Sequence, residues 1–172
     1  MDSDISIEIK RKRNESDISL LLEFVRWGRL KMVRGFLEKN HSIDVNNKDS
    51  LGRTPLHEAC SDLSWCRSFE IVKLLVQNGA KVNVRDNNGK TPVQLACCNR
   101  DIKVLQFLIQ NGADTSIFNE KDKYGRTALH YAHRAGRLPL IKLLVENGAN
   151  VDAQNNEGKT LLHEVRECFF IV

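Results

Sequence analysis

One block of six residues recurs four times along this chain. It reads Gly52-Arg53-Thr54-Pro55-Leu56-His57, Gly89-Lys90-Thr91-Pro92-Val93-Gln94, Gly125-Arg126-Thr127-Ala128-Leu129-His130 and Gly158-Lys159-Thr160-Leu161-Leu162-His163. The leading glycines stand 37, 36 and 33 residues apart. A second marker, Asn-Gly-Ala, returns at 78–80, 111–113 and 147–149. Ahead of each marker stands an apolar quartet: Ile71, Val72, Leu75 and Val76; Val104, Leu105, Leu108 and Ile109; Leu140, Ile141, Leu144 and Val145. Offsets of one, four and five put each quartet on one helical face. A period of this length marks a small unit that cannot bury its apolar face alone and must stack on its neighbours.

Each part of the unit has a local cause. Thr54, Thr91, Thr127 and Thr160 are good N-caps, and Pro55 and Pro92 occupy the first helical position, where a missing N–H costs nothing. The short helix that follows runs through Ala59, Ala96 or Ala132, small residues that allow close helix approach. The second helix ends at Gly79, Gly112 or Gly148, suited to the left-handed cap conformation. Pro139 is tolerated near a helix start. A polar turn such as Arg85-Asp86-Asn87-Asn88-Gly89 then suits a tight hairpin.

The block, the helix ending and the hairpin together resemble the ankyrin repeat over roughly residues 47–165. The fold expected is an all-α repeat solenoid of stacked helix-turn-helix units with β-hairpin fingers. Its divisions are a disordered basic tail over 1–16, a degenerate capping repeat over 17–46, repeats over 47–84, 85–117 and 118–153, and a truncated repeat over 154–172. The capping repeat keeps a quartet as Met32, Val33, Phe36 and Leu37 but lacks the Thr-Pro-Leu-His start. The first full repeat has four extra residues around Asp62-Leu63-Ser64-Trp65-Cys66, and the hairpin from Ala113 to Gly125 has three more, with Phe118 and Tyr124 among its residues. The chain closes on Cys168-Phe169-Phe170-Ile171-Val172, although a solenoid end should be polar. This tail reads as a truncation, with folding back on the fourth repeat or pairing with another chain as alternatives; otherwise a monomer is expected.

Composition narrows the partner class. In 172 residues the net charge is only +4, a mild excess that disfavours nucleic acid. No run reaches the ~18 apolar residues of a membrane span, and Met1-Asp2-Ser3-Asp4 is acidic where a signal peptide is basic. No membrane partner is expected. Five cysteines without a CxxC read as reduced intracellular thiols. The localisation expected is cytoplasmic, with the nucleus as a second site if Lys10, Arg11, Lys12 and Arg13 act as an import signal; the bland reading of that cluster is a solvated tail.

Candidate chemistry is thin. His57, Cys60 and Cys66 have spacing conceivable for zinc. The competing reading is structural, because His57, His130 and His163 share one repeat position, and the resemblance gives that histidine the task of tying neighbouring units. Gly89-Lys90-Thr91 and Gly158-Lys159-Thr160 imitate a phosphate loop, but Val84 and Ala153 stand where its first glycine belongs. With no serine elbow, carboxylate pair or dinucleotide fingerprint, the chain reads as a non-enzyme without cofactor or metal. Asn46 and Asn83 lie where ankyrin proteins undergo asparaginyl hydroxylation, a weak match because Lys81 replaces the usual acid.

The resemblance implies a protein-binding module that holds its partner on a concave face of finger tips and first helices. Carried over by position, the contact residues are Asp49, Arg53, Glu58 and Asp62; Asp86, Lys90 and Asn99; Tyr124, Arg126, Tyr131 and Arg134; and Lys159, with Leu51, Asn88, Leu95, Glu157 and Glu164 completing the strip. Tyr124, Tyr131 and Trp65 are the expected anchors. Arg53, Lys90, Arg126 and Lys159 form either a cationic ladder for an acidic partner or a solvated edge. On this reading Arg53→Ala leaves the fold unchanged and Gly125→Val destabilises or distorts its hairpin. The role expected is a sequestering or scaffolding regulator, similar to inhibitors of NF-κB-type factors or to effectors; the alternative is a substrate-recognition fragment of an adaptor for a ubiquitin ligase or other enzyme.

Overall fold

The computed structural model describes residues 17–40, 43–61, 68–99 and 101–163. Helix α1 covers 17–26, followed by α2 (Leu30–Lys39), α3 (Pro55–Ser61), α4 (Ser68–Gln77), α5 (Pro92–Cys98), α6 (Ile102–Gln110), α7 (Thr115–Asn119), α8 (Ala128–Arg134) and α9 (Leu138–Glu146). The described residues close on 161–163, which are helical. Within a unit the two helices pack as α3 on α4, α5 on α6 and α8 on α9. Between units α3, α5 and α8 stack as an inner layer, while α2, α4, α6 and α9 stack as an outer one. This is the all-α solenoid that the period predicts.

The repeated residues do the local work expected of them. The Thr91 hydroxyl accepts the Gln94 N–H at 3.2 Å, and the Gln94 Oε1 accepts the Thr91 N–H at 3.0 Å, so two of the orphan donors at the α5 start are satisfied. The Asn of each Asn-Gly-Ala marker turns back on its own helix. Asn78, Asn111 and Asn147 donate through Nδ2 to the carbonyls of Leu74, Phe107 and Leu143, each at 2.8 Å. Ala59, Ala96 and Ala132 are buried within the inner layer.

Burial follows the quartets in the middle of the stack and fails at its ends. Ile71, Val72, Leu75, Val104, Leu105, Leu108, Leu140 and Leu144 are all buried, while Val76, Ile109 and Ile141 are half-buried. Val145, the last member of the last quartet, is exposed. Of the first unit's quartet only Val33 and Leu37 are buried, because no described element stacks on the other side of α2.

Two expectations change. No strand occurs among the described residues; the fingers are turns closed by backbone hydrogen bonds. The extra residues after Ala113 do not lengthen a hairpin: they form α7, capped by Asp114, whose Oδ1 accepts the N–H groups of Ser116 and Ile117. Ile117 and the fully buried Phe118 plug into the space between α5 and α8. The division drawn between 117 and 118 therefore falls inside a helix. The insertion at 62–67, the tail over 1–16 and the closing residues 164–172 lie outside the described residues.

Candidate interaction face at the fingers

Each finger is built on one side chain that organises its own turn. Asp49 Oδ1 accepts the N–H groups of Leu51 (2.9 Å) and Arg53 (2.8 Å). Asp86 does the same for Asn88 and Lys90, and Asp122 for Tyr124 and Arg126. Asn155 serves Glu157 and Lys159. Neighbouring fingers are then joined through their main chains: Asn87 N–H to the Leu51 carbonyl at 3.0 Å, Lys123 N–H to Asn88 at 2.8 Å, and Asn156 N–H to Tyr124 at 3.0 Å. Gly125 has φ +74°, and a Cβ there would stand 2.6 Å from the Asn156 nitrogen, so the close approach admits only glycine.

Behind the fingers runs a second set of ties. The Thr54 N–H donates to His57 Nδ1 at 3.1 Å, so that nitrogen is an acceptor and the ring is neutral with its proton on Nε2. Nε2–H then donates forward to the Lys90 carbonyl at 3.2 Å. Burial, the larger effect, holds the His57 pKa below the ordinary value, against the raising influence of that carbonyl. His130 repeats the arrangement with Thr127 and the Lys159 carbonyl. Gln94 replaces histidine atom for atom: Oε1 accepts from Thr91, and Nε2 donates to the carbonyls of Glu120 (2.7 Å) and Arg126 (3.1 Å). Both ring nitrogens of His57 are thus engaged within the protein, as the structural reading expects. Cys60 is buried, and burial pushes its thiol pKa up, away from the thiolate a metal requires.

The four repeat cations do not stand as a row of free charges. Arg53 turns back onto Asp49 Oδ2 (3.0 Å) and reaches Glu58 (3.1 Å). Arg126 binds Asp122 Oδ2 through Nε at 3.2 Å, and Lys159 lies 3.3 Å from Glu157. Lys90 lies over the Tyr131 ring, 5.7 Å from its centroid. Glu58 is buried between Arg26 (2.6 Å) and Arg53, so its carboxylate holds α1, α3 and the first finger together. Asp86 and Asp122 are likewise buried within their turns. Burial pushes the Asp122 carboxyl up, but the Arg126 N–H, the Tyr131 hydroxyl and the Arg126 charge outweigh it and leave it below the usual carboxylate range.

Tyr131 is only 5% exposed, with its hydroxyl donated to Asp122 Oδ2 at 2.7 Å. It supports the face rather than standing out from it. Tyr124 is the aromatic that stands out, 50% exposed, with the Arg126 guanidinium 4.4 Å and the Lys123 ammonium 5.0 Å from its ring centroid. Lys123 was missing from the sequence reading; its position next to Tyr124 at a finger tip was the available signal. Leu51 is a second half-exposed finger residue. Asn99 is half-buried and bonds the Cys60 carbonyl, and Arg134 is exposed at the end of α8. Asp62, Trp65, Glu164 and Lys10, Arg11, Lys12 and Arg13 lie outside the described residues.

Known families match this architecture along its length. The pattern "Ankyrin repeats (3 copies)" covers residues 5–86, "Ankyrin repeats (many copies)" covers 67–109 and 99–138, and "Ankyrin repeat" covers 124–156. The chain belongs to the ankyrin-repeat family. Similar proteins include BCL-6 corepressor-like protein 1 of Mus musculus, 37% identical over 114 residues, which is 66% of this chain and 6% of that protein. The nuclear factor NF-kappa-B p105 subunit of Gallus gallus is 31% identical over 138 residues (77% and 14%), and neurogenic locus notch homolog protein 1 of Homo sapiens is 35% identical over 138 residues (80% and 5%). The stretch shared with these relatives is a small part of their length. As an ankyrin-repeat array the chain is a protein–protein interaction module, in a family whose repeats generally bind rather than catalyse. Among the described residues no helix is long and apolar enough to cross a membrane.

Proposed function

We propose that this ankyrin array is a non-enzymatic regulator that sequesters or scaffolds a protein with an acidic surface, held on the finger tips and inner helices. The observation that carries this reading is the third finger. There a half-exposed tyrosine is flanked by Arg126 and Lys123, and Lys90 lies over the neighbouring Tyr131. Aromatic and arginine side chains supply most of the affinity at interfaces, while outlying cations speed the encounter with an acidic partner. Lys90 and Lys123 form no ion pair among the described residues, so their charge is available to a partner. On this reading the array acts in the cytoplasm, with the nucleus as a second site; the name of one relative, a nuclear factor subunit, favours that second site.

The test compares three immobilised baits: the wild-type chain, Lys90→Glu/Lys123→Glu/Tyr124→Ala, and Lys73→Glu on the outer layer. A protein bound by the first and third and lost from the second is the expected result. Equal retention by all three places binding elsewhere and ends this reading. The finger arginines are left intact because reversing them would break the turns.

A further inference from the structure

The first unit turns an apolar face outward. Met32 stands in the register of Ile71, Val104 and Leu140, each 1% exposed, yet it is 52% exposed. Trp27 precedes Gly28-Arg29-Leu30 as Ala135 precedes Gly136-Arg137-Leu138; Ala135 is buried and Trp27 is 68% exposed. Leu20 and Phe24 of α1 and Trp27 just past its end follow one another at helical spacing, and the Phe24 ring meets Phe36 of α2 edge-on, 5.9 Å between centroids. Phe24, Trp27 and Met32 line an open groove of about 510 Å³, with Glu23 and Arg29 on its rim. A terminal unit should be polar on this side.

Size and charge indicate what covers it. A mostly exposed Trp presents on the order of 150 Å². The whole stripe therefore offers a few hundred Å², short of the roughly 800 Å² per partner in a stable interface between proteins. The face fits a short segment better than a second copy. Arg29 on the rim and Lys31, the residue before Met32, are exposed, with no ion pair among the described residues.

The chain carries a segment of matching chemistry. Residues 2–9, Asp2-Ser3-Asp4-Ile5-Ser6-Ile7-Glu8-Ile9, set isoleucines at every second position with three acids and no base. They lie outside the described residues and are tethered to α1 through 10–16. Eight extended residues reach roughly 26 Å, and a ten-residue helix is about 15 Å long. The segment can therefore span the whole stripe from its tether. We propose that residues 2–9 cover the α1–α2 face, isoleucines on Phe24, Trp27 and Met32 and acids toward Arg29 and Lys31. Tethering supplies the local concentration that lets so small a contact persist.

A Trp65→Phe background leaves Trp27 as the only tryptophan and makes the cover directly readable. The full chain, a chain lacking 1–9, and full-length Ile5→Ser/Ile7→Ser/Ile9→Ser are compared, with circular dichroism confirming equal helix content. The expected result is red-shifted Trp27 emission and several-fold steeper acrylamide quenching in the deleted and serine chains. A synthetic peptide of residues 1–9 should reverse the shift of the deleted chain in a saturable, salt-weakened way. Equal emission and quenching in all three chains overturns the proposal. So does a Trp27 signal that tracks protein concentration together with a dimer by light scattering, because a second copy would then be the cover.

Discussion

At the scale of single residues, the histidine ties show how a repeat position works and where it is vulnerable. Because burial lowers the His57 pKa, the unfolded chain binds a proton before the folded one does. Stability should be complete above about pH 6.5 and should fall as pH drops through that value toward the folded pKa. The His57→Gln variant copies the donor and acceptor pattern of Gln94 without a titrating group. It should fold and lose this acid sensitivity, as urea denaturation at pH 7.5 and 5.5 would show. His57→Ala leaves a buried N–H and a carbonyl unmet and should cost about 1–3 kcal/mol at either pH. The Thr-x-x-His block is plain in the sequence; the forward bond to Lys90, 33 residues on, is not, because it ends on a main-chain carbonyl that any residue supplies. Arg53 teaches the same lesson. Sequence alone has Arg53→Ala leave the fold unchanged and gives no sign that Arg53 is one of two guanidiniums on the buried Glu58 carboxylate. Its removal should lower stability by about 1 kcal/mol or more.

At the scale of elements, α7 is the feature that pattern reading missed. Three residues beyond the period looked like a longer hairpin, because five helical residues are too few for periodicity to register. The signals were there in Asp114 ahead of Thr115-Ser116, a capping sequence, and in the apolar pair Ile117-Phe118. Phe118→Ala should cost about 3–5 kcal/mol, as for other large aromatic truncations in cores. Asp114→Ala, which removes an exposed cap, should cost far less. Thermal melts of the two variants separate a plug from an ornament: equal small losses would mean that α7 merely rests on the surface. The finger glycine is the opposite case, legible from its recurrence. Gly125→Val combines a positive φ with a clash against the Asn156 nitrogen, and should cost at least ~2 kcal/mol. The stacked quartets were equally readable in the middle units. They misled only at Met32 and Val145, because sequence periodicity carries no record of whether a neighbour exists on the far side.

At the scale of the whole molecule, stability is a sum over units and their shared faces. Hydrogen exchange should therefore be slowest in α5 and in α8, which lie between neighbours, and fastest at 161–163. Uniform protection from end to end would contradict the nearest-neighbour picture. Further acidification should act through the fingers: Asp49 and Asp122 titrate below their ordinary range, so their contribution holds above about pH 4 and is lost as pH falls through their folded values. The joints between fingers have a different kind of consequence. They run from main-chain N–H groups of Asn87, Lys123 and Asn156 to main-chain carbonyls of Leu51, Asn88 and Tyr124. None of these joints asks anything of the side chains at 51, 88, 123 or 124, the positions that meet the outside. Those letters are free to drift while the distance between one finger and the next stays fixed, so selection can rewrite what the surface recognises without ever re-solving how it folds.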